Sequence, residues 1–206
     1  MVDSRPSMDP QIELAPDFFE EHKSKFIFGL IAVILLFAIG SVIFFTRAAR
    51  LNSEQEAFAA ATTSEQLVAF IDSNPSDRLE GNARLLLAEK QLLAGDLHAV
   101  EETLIRFTAK HPTHPLLPAA LLGLAKTQLQ LDKPAEAEKN LQELNSKHAQ
   151  SFAAPFGAIS EAQLLAKKGE IAPARSILQE VITNNPQSPA AFLAENALRF
   201  IPAQKD

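Results

Sequence analysis

The sequence contains no cysteine, tryptophan or tyrosine among its 206 residues. The absence of cysteine excludes disulfide bonds, thiolate metal sites and cysteine nucleophiles. Glycine is scarce as well, with seven scattered residues, and they form no P-loop, no G-x-S-x-G elbow and no dinucleotide-binding motif. These absences remove several of the catalytic classes that a sequence can reveal.

Positive charge is also limited. Lysine and arginine number 19 against 25 acidic residues, which gives a net charge of −6. Nucleic-acid binding needs clustered Lys and Arg, so no nucleic-acid partner is expected. The acidic residues of the C-terminal part are expected to form a solvated face rather than an acid/base pair; they include Glu101, Glu102, Glu136, Glu138 and Glu143.

One long apolar run is present, FIFGLIAVILLFAIGSVIFF, from Phe26 to Phe45. As an α-helix these 20 uncharged residues would span ~30 Å, about the thickness of a bilayer core. A cleaved signal peptide is disfavoured, because its apolar part has only ~7 to 15 residues and Arg47 stands where a small residue is wanted. We expect one uncleaved anchor that contacts lipid through residues 26–45.

The segment before this run contains two different signals. Residues 1–16 carry three prolines and no apolar period, which predicts a disordered tail. Asp17 and Glu20 have the spacing of a capping box, so the helix is expected to begin before the membrane. Phe18 and Phe19 would then lie at the level of the lipid headgroups.

The charges on either side of the run suggest an orientation. Arg5, Lys23 and Lys25 precede it, whereas Arg47 and Arg50 follow it. This small excess favours a cytoplasmic N-terminus, because Lys and Arg are retained on the cytoplasmic side. The C-terminal domain would then be exported.

The rest of the chain repeats with a period of 37 residues, the spacing of Pro75, Pro112, Ala149 and Pro186. A fixed period of this length is typical of helix-pair solenoids. The same offset aligns five further columns: Ala88/Ala125/Ala162, Gly95/Asp132/Gly169, Val100/Ala137/Ala174, Leu104/Leu141/Leu178 and Phe107/Leu144/Val181. Each unit is interpreted as a helix A, a turn at the Gly/Asp column and a helix B.

The repeat register predicts the helices. They are expected at roughly 78–93, 97–110, 115–130, 134–147, 152–167, 172–184 and 189–201. The column Asp77/His114/Ser151/Ser188 supplies candidate N-caps, although Pro118 and Pro155 would also suit a start one or two residues later. Thr63 and Gln66 have capping-box spacing at the start of an earlier helix.

The register also extends backwards. Leu67 and Phe70 lie 37 residues before Leu104 and Phe107, so residues 64–73 are expected to form helix B of a partial leading repeat. Its helix A would be residues 47–61.

The predicted fold class is all-α. A disordered tail (1–16) precedes an anchor helix (17–46), a helical connector with the partial repeat (47–74) and an α-solenoid (75–206). The solenoid would hold about three and a half helix pairs.

The repeat resembles the tetratricopeptide repeat. Two helices per unit, a small residue within helix A, a small residue early in helix B with Leu four positions later, and Pro after helix B carry the resemblance. The unit is three residues longer than that family's. The chain has no aromatic residue at the family's aromatic positions, which hold Arg84, Leu121, Ala158 and Gln91, Gln128, Leu165.

The longer repeat behind one membrane helix resembles the YfgM-like family of ancillary Sec translocon subunits. The lead-in Asp17-Phe-Phe-Glu-Glu-His-Lys23 contributes to this resemblance, which covers residues 17–201. It implies a non-enzymatic module in the bacterial inner membrane, with a cytoplasmic N-terminus and a periplasmic repeat domain. The implied partners are translocon subunits, periplasmic chaperones and exported chains. The alternative is an envelope scaffold for cell-wall or outer-membrane assembly.

The function would then depend on a surface, with no catalytic residue, cofactor or metal expected. His111 and His148 are repeat equivalents at the ends of B helices, and we interpret them as capping residues rather than metal ligands. The small and apolar columns are expected to pack the repeats: Ala88, Ala125, Ala162, Leu104, Leu141 and Leu178. Candidates for binding protein on the wall of A helices are Asn82, Lys90, Lys126, Gln128 and Lys167.

The last helix, 189–201, has no following helix B. Its apolar residues are Phe192, Leu193, Leu198, Phe200 and Ile201. They would either cover the end of the solenoid or form an exposed edge that binds a partner.

Overall fold

Every regular element in the described residues is an α-helix, as expected from a chain rich in helix formers. The computed structural model describes the backbone of residues 16–201 and the side chains of residues 28–30 and 33–201. The helices are α1 (Pro16–Ala60), α2 (Ser64–Asp72), α3 (Asp77–Leu93), α4 (Leu97–Lys110), α5 (Leu117–Gln130), α6 (Pro134–Lys147), α7 (Ala154–Lys167), α8 (Ile171–Asn184) and α9 (Pro189–Phe200). α1 begins at Pro16, so the helix starts before the apolar run, as predicted. The predicted tail lies outside the described residues, as do the side chains of Asp17, Phe18, Phe19 and Glu20, so the capping box and the headgroup positions stay predictions.

The predicted fold class is confirmed. The described helices from α2 to α9 alternate as B and A helices of the 37-residue repeat, and their ends lie within two residues of the prediction. Two compact units divide the chain, Met1–Asn52 and Ser53–Asp206.

The N-terminal unit contains most of α1. Between Phe28 and Ala60 this helix is long and apolar enough to cross a membrane, and its most apolar stretch is not buried by other parts of the protein. The exposed side chains include Phe37 and Phe45, at 78% and 69%. A helix of this length and composition suits a membrane anchor or a signal sequence.

In the second unit each helix from α2 to α9 packs on the next one along the chain. The A helices α5 and α7, and likewise α7 and α9, also contact each other. The aligned small and apolar columns lie in the core, with Ala125, Ala162, Leu141 and Leu178 at 0% exposed and Ala88 and Leu104 at 5%. Small side chains at these positions let helices A and B approach closely.

The turn between helices A and B has the same backbone conformation in all three repeats. Gly95, Asp132 and Gly169 have φ angles of +78°, +58° and +85°. Only glycine adopts this left-handed region freely, and aspartate is one of the few other residues that enter it. The positive φ angle at this column therefore ends helix A in each repeat, whether the residue is glycine or aspartate.

Two features mark helix starts in the repeats: a side chain that caps the first turn, and a proline within that turn. Thr63 and Gln66 form the predicted capping box, and Ser188 caps α9 by accepting a hydrogen bond from the Ala191 N–H. The other residues of the predicted N-cap column do not cap. α5 and α7 begin later, at Leu117 and Ala154, because Pro118 and Pro155 fit the first turn, where no N–H is needed.

The end of α1, from Ser53 onwards, belongs to the second compact unit. Phe58 packs on Phe70 with ring centroids 5.7 Å apart, and the Ser76 N–H donates to the Glu54 carboxylate at 2.9 Å. Leu67, Phe70 and Ile71 of α2 are buried against the same cluster. The last turns of α1 thus contact α2 and the start of α3, while a leading helix pair stays a prediction.

The last helix has two different faces. Its small residues Ala190, Ala191 and Ala194 are buried against α7 and α8. Phe192, Leu193 and Phe200 remain exposed, at 63%, 46% and 87%. α9 therefore covers the end of the core with one face, as the first alternative predicted, and presents exposed apolar side chains on the other, whose binding of a partner stays a prediction.

Candidate protein-interaction surface

The A helices carry the five candidate binding residues, but the structure does not leave all of them accessible. Lys126 and Lys167 are exposed, and Asn82 and Lys90 are half-buried. Gln128 is only 4% exposed. Its Oε1 accepts a hydrogen bond from Asn140 Nδ2 at 2.7 Å. Gln128 therefore joins helices A and B and does not belong to the surface.

The prediction from sequence missed this bond, but the repeat register contains its signal. Gln91 and Gln128 are repeat equivalents, as are Thr103 and Asn140. In the first repeat the Thr103 hydroxyl donates to Gln91 Oε1 at 2.9 Å. In the third repeat the equivalent residues are Leu165 and Ile177, which pack on one apolar cluster. Each pair joins helix A to helix B, and its helix A member is Gln91, Gln128 or Leu165.

Two adjoining apolar hollows lie on the side of the A helices, between α5, α7 and α9. Their volumes are about 270 and 310 Å³. Gln163, Ala197 and Phe200 line both, so the exposed Phe200 ring stands between them. The first also contains Leu129 and Lys167; the second also contains Lys126, Phe156 and Leu193. We call these two hollows together the α9 groove.

The charged side chains that line the α9 groove are all positive. Lys126 and Lys167 line it, and none of the lining residues is acidic. Lys110, Lys133, Lys147 and Lys168 pair with glutamate, as Lys133 does with Glu101 at 2.6 Å, whereas Lys90 and Lys139 of the described repeats do not. Within the described residues neither groove lysine has a hydrogen bond or ion pair. The groove is thus apolar and contains two lysines that form no ion pair within the described residues. This local positive charge contrasts with the net charge of −6 of the whole chain.

A second kind of groove recurs with the repeat on another part of the surface. One lies between α4, α5 and α6 and contains Leu117, Leu121 and Lys147. Another contains their repeat equivalents Ala154, Ala158 and Asn184. In the first repeat the same positions hold Glu80, Arg84 and Lys110, which are joined by ion pairs.

Two carboxylates that the sequence could not place are buried. Glu101 is 8% exposed, so the prediction of a fully solvated acidic face is wrong at this residue; its pairing with Lys133 explains why burial is tolerated. Glu80 is 3% exposed. Burial opposes its charged form, but the hydrogen bonds from Lys110 and Arg84 outweigh that effect and lower the pKa of Glu80.

His111 and His148 lie at helix ends, and His111 and His114 are buried in the packed interior. His111 and His148 are the C-cap residues of α4 and α6, as predicted. His111 is buried, and its Nδ1 lies 2.9 Å from the Asp77 carboxylate rather than capping a carbonyl. His114 packs edge-on against Phe107, and burial lowers the pKa of His114. No group of three or more His, Cys, Asp or Glu suited to a metal occurs in the described residues.

These features define a class of protein, a helix-hairpin solenoid with a surface groove and no recognisable catalytic constellation in the described residues. The family comparison makes this more specific. The chain matches the tetratricopeptide repeat-like domain family over residues 18–194, and it belongs to that family. Proteins with this fold are typically non-catalytic interaction scaffolds, so the repeats identify a protein-interaction module.

Solved structures share the fold. A crystal structure of a point variant of a Podosopora anserina putative kinesin light chain, described as nearly identical TPR-like repeats, gives a TM-score of 0.56 at 14% identity. The matched region covers 73% of this chain and 82% of the kinesin light chain structure. A second crystal structure, described as the same Podosopora anserina repeats with no substitution named, gives a TM-score of 0.54 at 14% identity. No curated protein matches the chain.

Proposed function

We propose that this protein is a non-enzymatic, membrane-anchored interaction module of the Sec translocon. Its repeats would bind translocon subunits, periplasmic chaperones or exported chains. The observation that carries the proposal is the family match over residues 18–194, which includes both the apolar helix and the repeats. The YfgM-like resemblance supports the finer assignment to the translocon.

The proposed topology has one crossing of the bacterial inner membrane. Residues 1–16 would form a cytoplasmic tail, 17–46 the anchor, 47–74 the connector and 75–206 the periplasmic repeat domain. The exposure of the apolar side chains of α1 supports an anchor, since such a surface is stable in lipid and unfavourable in water. The Lys/Arg bias supports the orientation.

The mechanism would be tethering. An anchored repeat domain raises the effective concentration of its partners at the membrane without making or breaking a bond. The alternative is a scaffold for cell-wall or outer-membrane assembly, which the same anchor and repeats would suit.

In-cell photocrosslinking distinguishes the two functions. A photoreactive residue replaces Lys126 in the α9 groove or Glu195 on α9, and captured proteins are identified by mass spectrometry. Translocon subunits or exported chaperones are expected. A matched variant carries the same residue at Lys139, which is exposed on α6 away from the groove. Capture of cell-wall or outer-membrane assembly factors alone would favour the scaffold.

Topology can be measured directly because the chain has no cysteine. The variant Lys139→Cys places one thiol on the repeat domain, and intact cells are treated with a membrane-impermeant maleimide. Labelling comparable to that in lysed cells is expected. Labelling that appears only after lysis would place the domain in the cytoplasm and contradict the proposal.

A further inference from the structure

The α9 groove has the chemistry of a site for one kind of partner. We infer that it binds an acidic segment of a partner protein that carries large apolar side chains. This inference rests on the proposed function, since it specifies the partner of an interaction module. Three observations support it: the shape of the hollows, the exposure of Phe200 and the charge of the lining.

The shape favours side chains rather than a flat surface. The two hollows, of about 270 and 310 Å³, are recessed between helices on either side of Phe200. A partner with two apolar side chains could insert one into each hollow and cover the ring. A flat bilayer surface is too broad to enter such recesses, so a membrane surface is disfavoured as the occupant.

Phe200 would supply the central apolar contact. Its side chain is 87% exposed although the adjoining Ile201 is 8% exposed. Burial of a large aromatic side chain under a partner is favourable, and such residues dominate the energy of many interfaces. Leu193 is 46% exposed and extends the same apolar surface.

The charge selects an acidic partner. Lys126 and Lys167 have no ion-pair partner in the described residues, and the lining contains no carboxylate. Carboxylates on the partner would complement them. A second copy of this chain fits less well, because a two-fold interface places the same patch on both sides and would bring the lysines of both copies together.

The test uses the full chain in nanodiscs of zwitterionic lipid and three labelled synthetic peptides. The first peptide has two phenylalanines one helical turn apart among glutamates. The second replaces the glutamates with lysines, and the third replaces the phenylalanines with serines. Fluorescence anisotropy measures binding. We expect the first peptide to bind and the other two to bind at least about tenfold more weakly, with the preference reduced at high salt.

Substitutions assign the binding to the groove. Phe200→Ser removes an exposed ring and no core contact, and it should weaken the first peptide about tenfold or more. Lys126→Glu with Lys167→Glu should also weaken it about tenfold and make the lysine peptide the preferred one. The matched controls Phe152→Ser and Lys139→Glu change exposed residues outside the groove and should leave binding unchanged.

Several outcomes would overturn the inference. Equal binding of the three peptides, or binding that the groove variants leave intact, would show that the groove does not select an acidic segment. A change of oligomeric state in Phe200→Ser, measured by sedimentation, would show that another copy covers the groove. Displacement of the first peptide by anionic lipid in the nanodisc would indicate a lipid site.

The inference and the proposed function can fail separately. If the acidic peptide binds through the groove while crosslinking captures no translocon or exported protein, the proposed function fails and the groove chemistry stands. If crosslinking captures these partners while the three peptides bind alike, only the groove chemistry fails.

Discussion

The ammonium group of Lys110 lies 2.6 Å from the carboxylate of Glu80, although the two residues are 30 positions apart in the chain. Glu80 also accepts from Arg84 at 2.8 Å. Its side chain is 4% exposed, whereas that of Lys110 is 52% exposed. The pair connects the start of helix A in the first repeat to the end of helix B, and it keeps a buried carboxylate charged.

This pairing predicts a pH dependence of stability. The folded-state pKa of Glu80 is lowered, so its contribution is complete above the unfolded-state pKa near 4.5 and is lost as the pH falls through the folded value. Glu80→Gln should flatten the decline in urea midpoint below that pH. A decline as steep as that of the unaltered protein would contradict this.

Removal of the cation tests the same contact at neutral pH. Lys110→Met should lower the free energy of unfolding by about 1–3 kcal/mol, since the buried Glu80 carboxylate loses one hydrogen-bond partner and keeps Arg84. The matched control is Lys147→Met, because Lys147 pairs with Glu143 at the surface and exposed pairs contribute less than ~1 kcal/mol. Equal effects of the two changes in urea unfolding would show that burial does not strengthen the first pair.

Two helical glycines predict opposite effects of the same substitution. A Cβ on Gly81 would lie 2.8 Å from Cδ2 of the buried His114 ring, so Gly81→Ala should destabilise by about 1–3 kcal/mol. A Cβ on Gly123 would lie 3.4 Å from Leu104 Cδ1, an ordinary contact. Gly123→Ala should stabilise by about 0.5–1 kcal/mol through helix propensity. Thermal unfolding of both variants measures the difference in sign.

The turn column predicts a further pair of effects. Gly169 has φ +85° with open space around it, so Gly169→Ala should cost about 1–2 kcal/mol through backbone strain alone. Asp132, at φ +58°, already has a side chain in that region. Asp132→Gly should therefore be neutral or stabilising, and a clear loss of stability in urea unfolding would show that the aspartate side chain has another role.

The polar pair between helices A and B predicts non-additive substitutions. Gln91→Leu would leave the Thr103 hydroxyl, in a residue 7% exposed, without its partner and should cost about 1–3 kcal/mol. Gln91→Leu with Thr103→Ile recreates the Leu165/Ile177 pair of the third repeat and should restore most of that loss. A double-mutant cycle measures the coupling; additive free energies would mean that the hydrogen bond contributes little.

The sequence predicted the helices well because their signals are local. Proline at helix starts, the Gly/Asp turn column and the 37-residue period each act over a few residues or recur in every unit. The same signals could not identify Gln128 as a buried residue, because polarity alone suggested exposure. Its hydrogen bond from Asn140 becomes visible only when helix B is packed on helix A.

The α9 groove shows the same limit. The sequence contained Lys126, Lys167 and Phe200 as candidates on A helices and left open whether the last helix covers the core or binds a partner. It could not indicate Gln163 and Phe156, because their position in the groove depends on how α7 packs between α5 and α9.

The sequence by itself determined the repeat, the all-α class, the helix boundaries and the long apolar helix, since these follow from period, composition and chain-local sterics. Only the tertiary structure decided which polar side chains are buried and which apolar ones are left exposed. The physical reason is that a helix fixes which residues share its faces, whereas contact with the next helix decides which face loses its water. Glu101, polar and buried, and Phe200, apolar and exposed, are the two results that this packing produced.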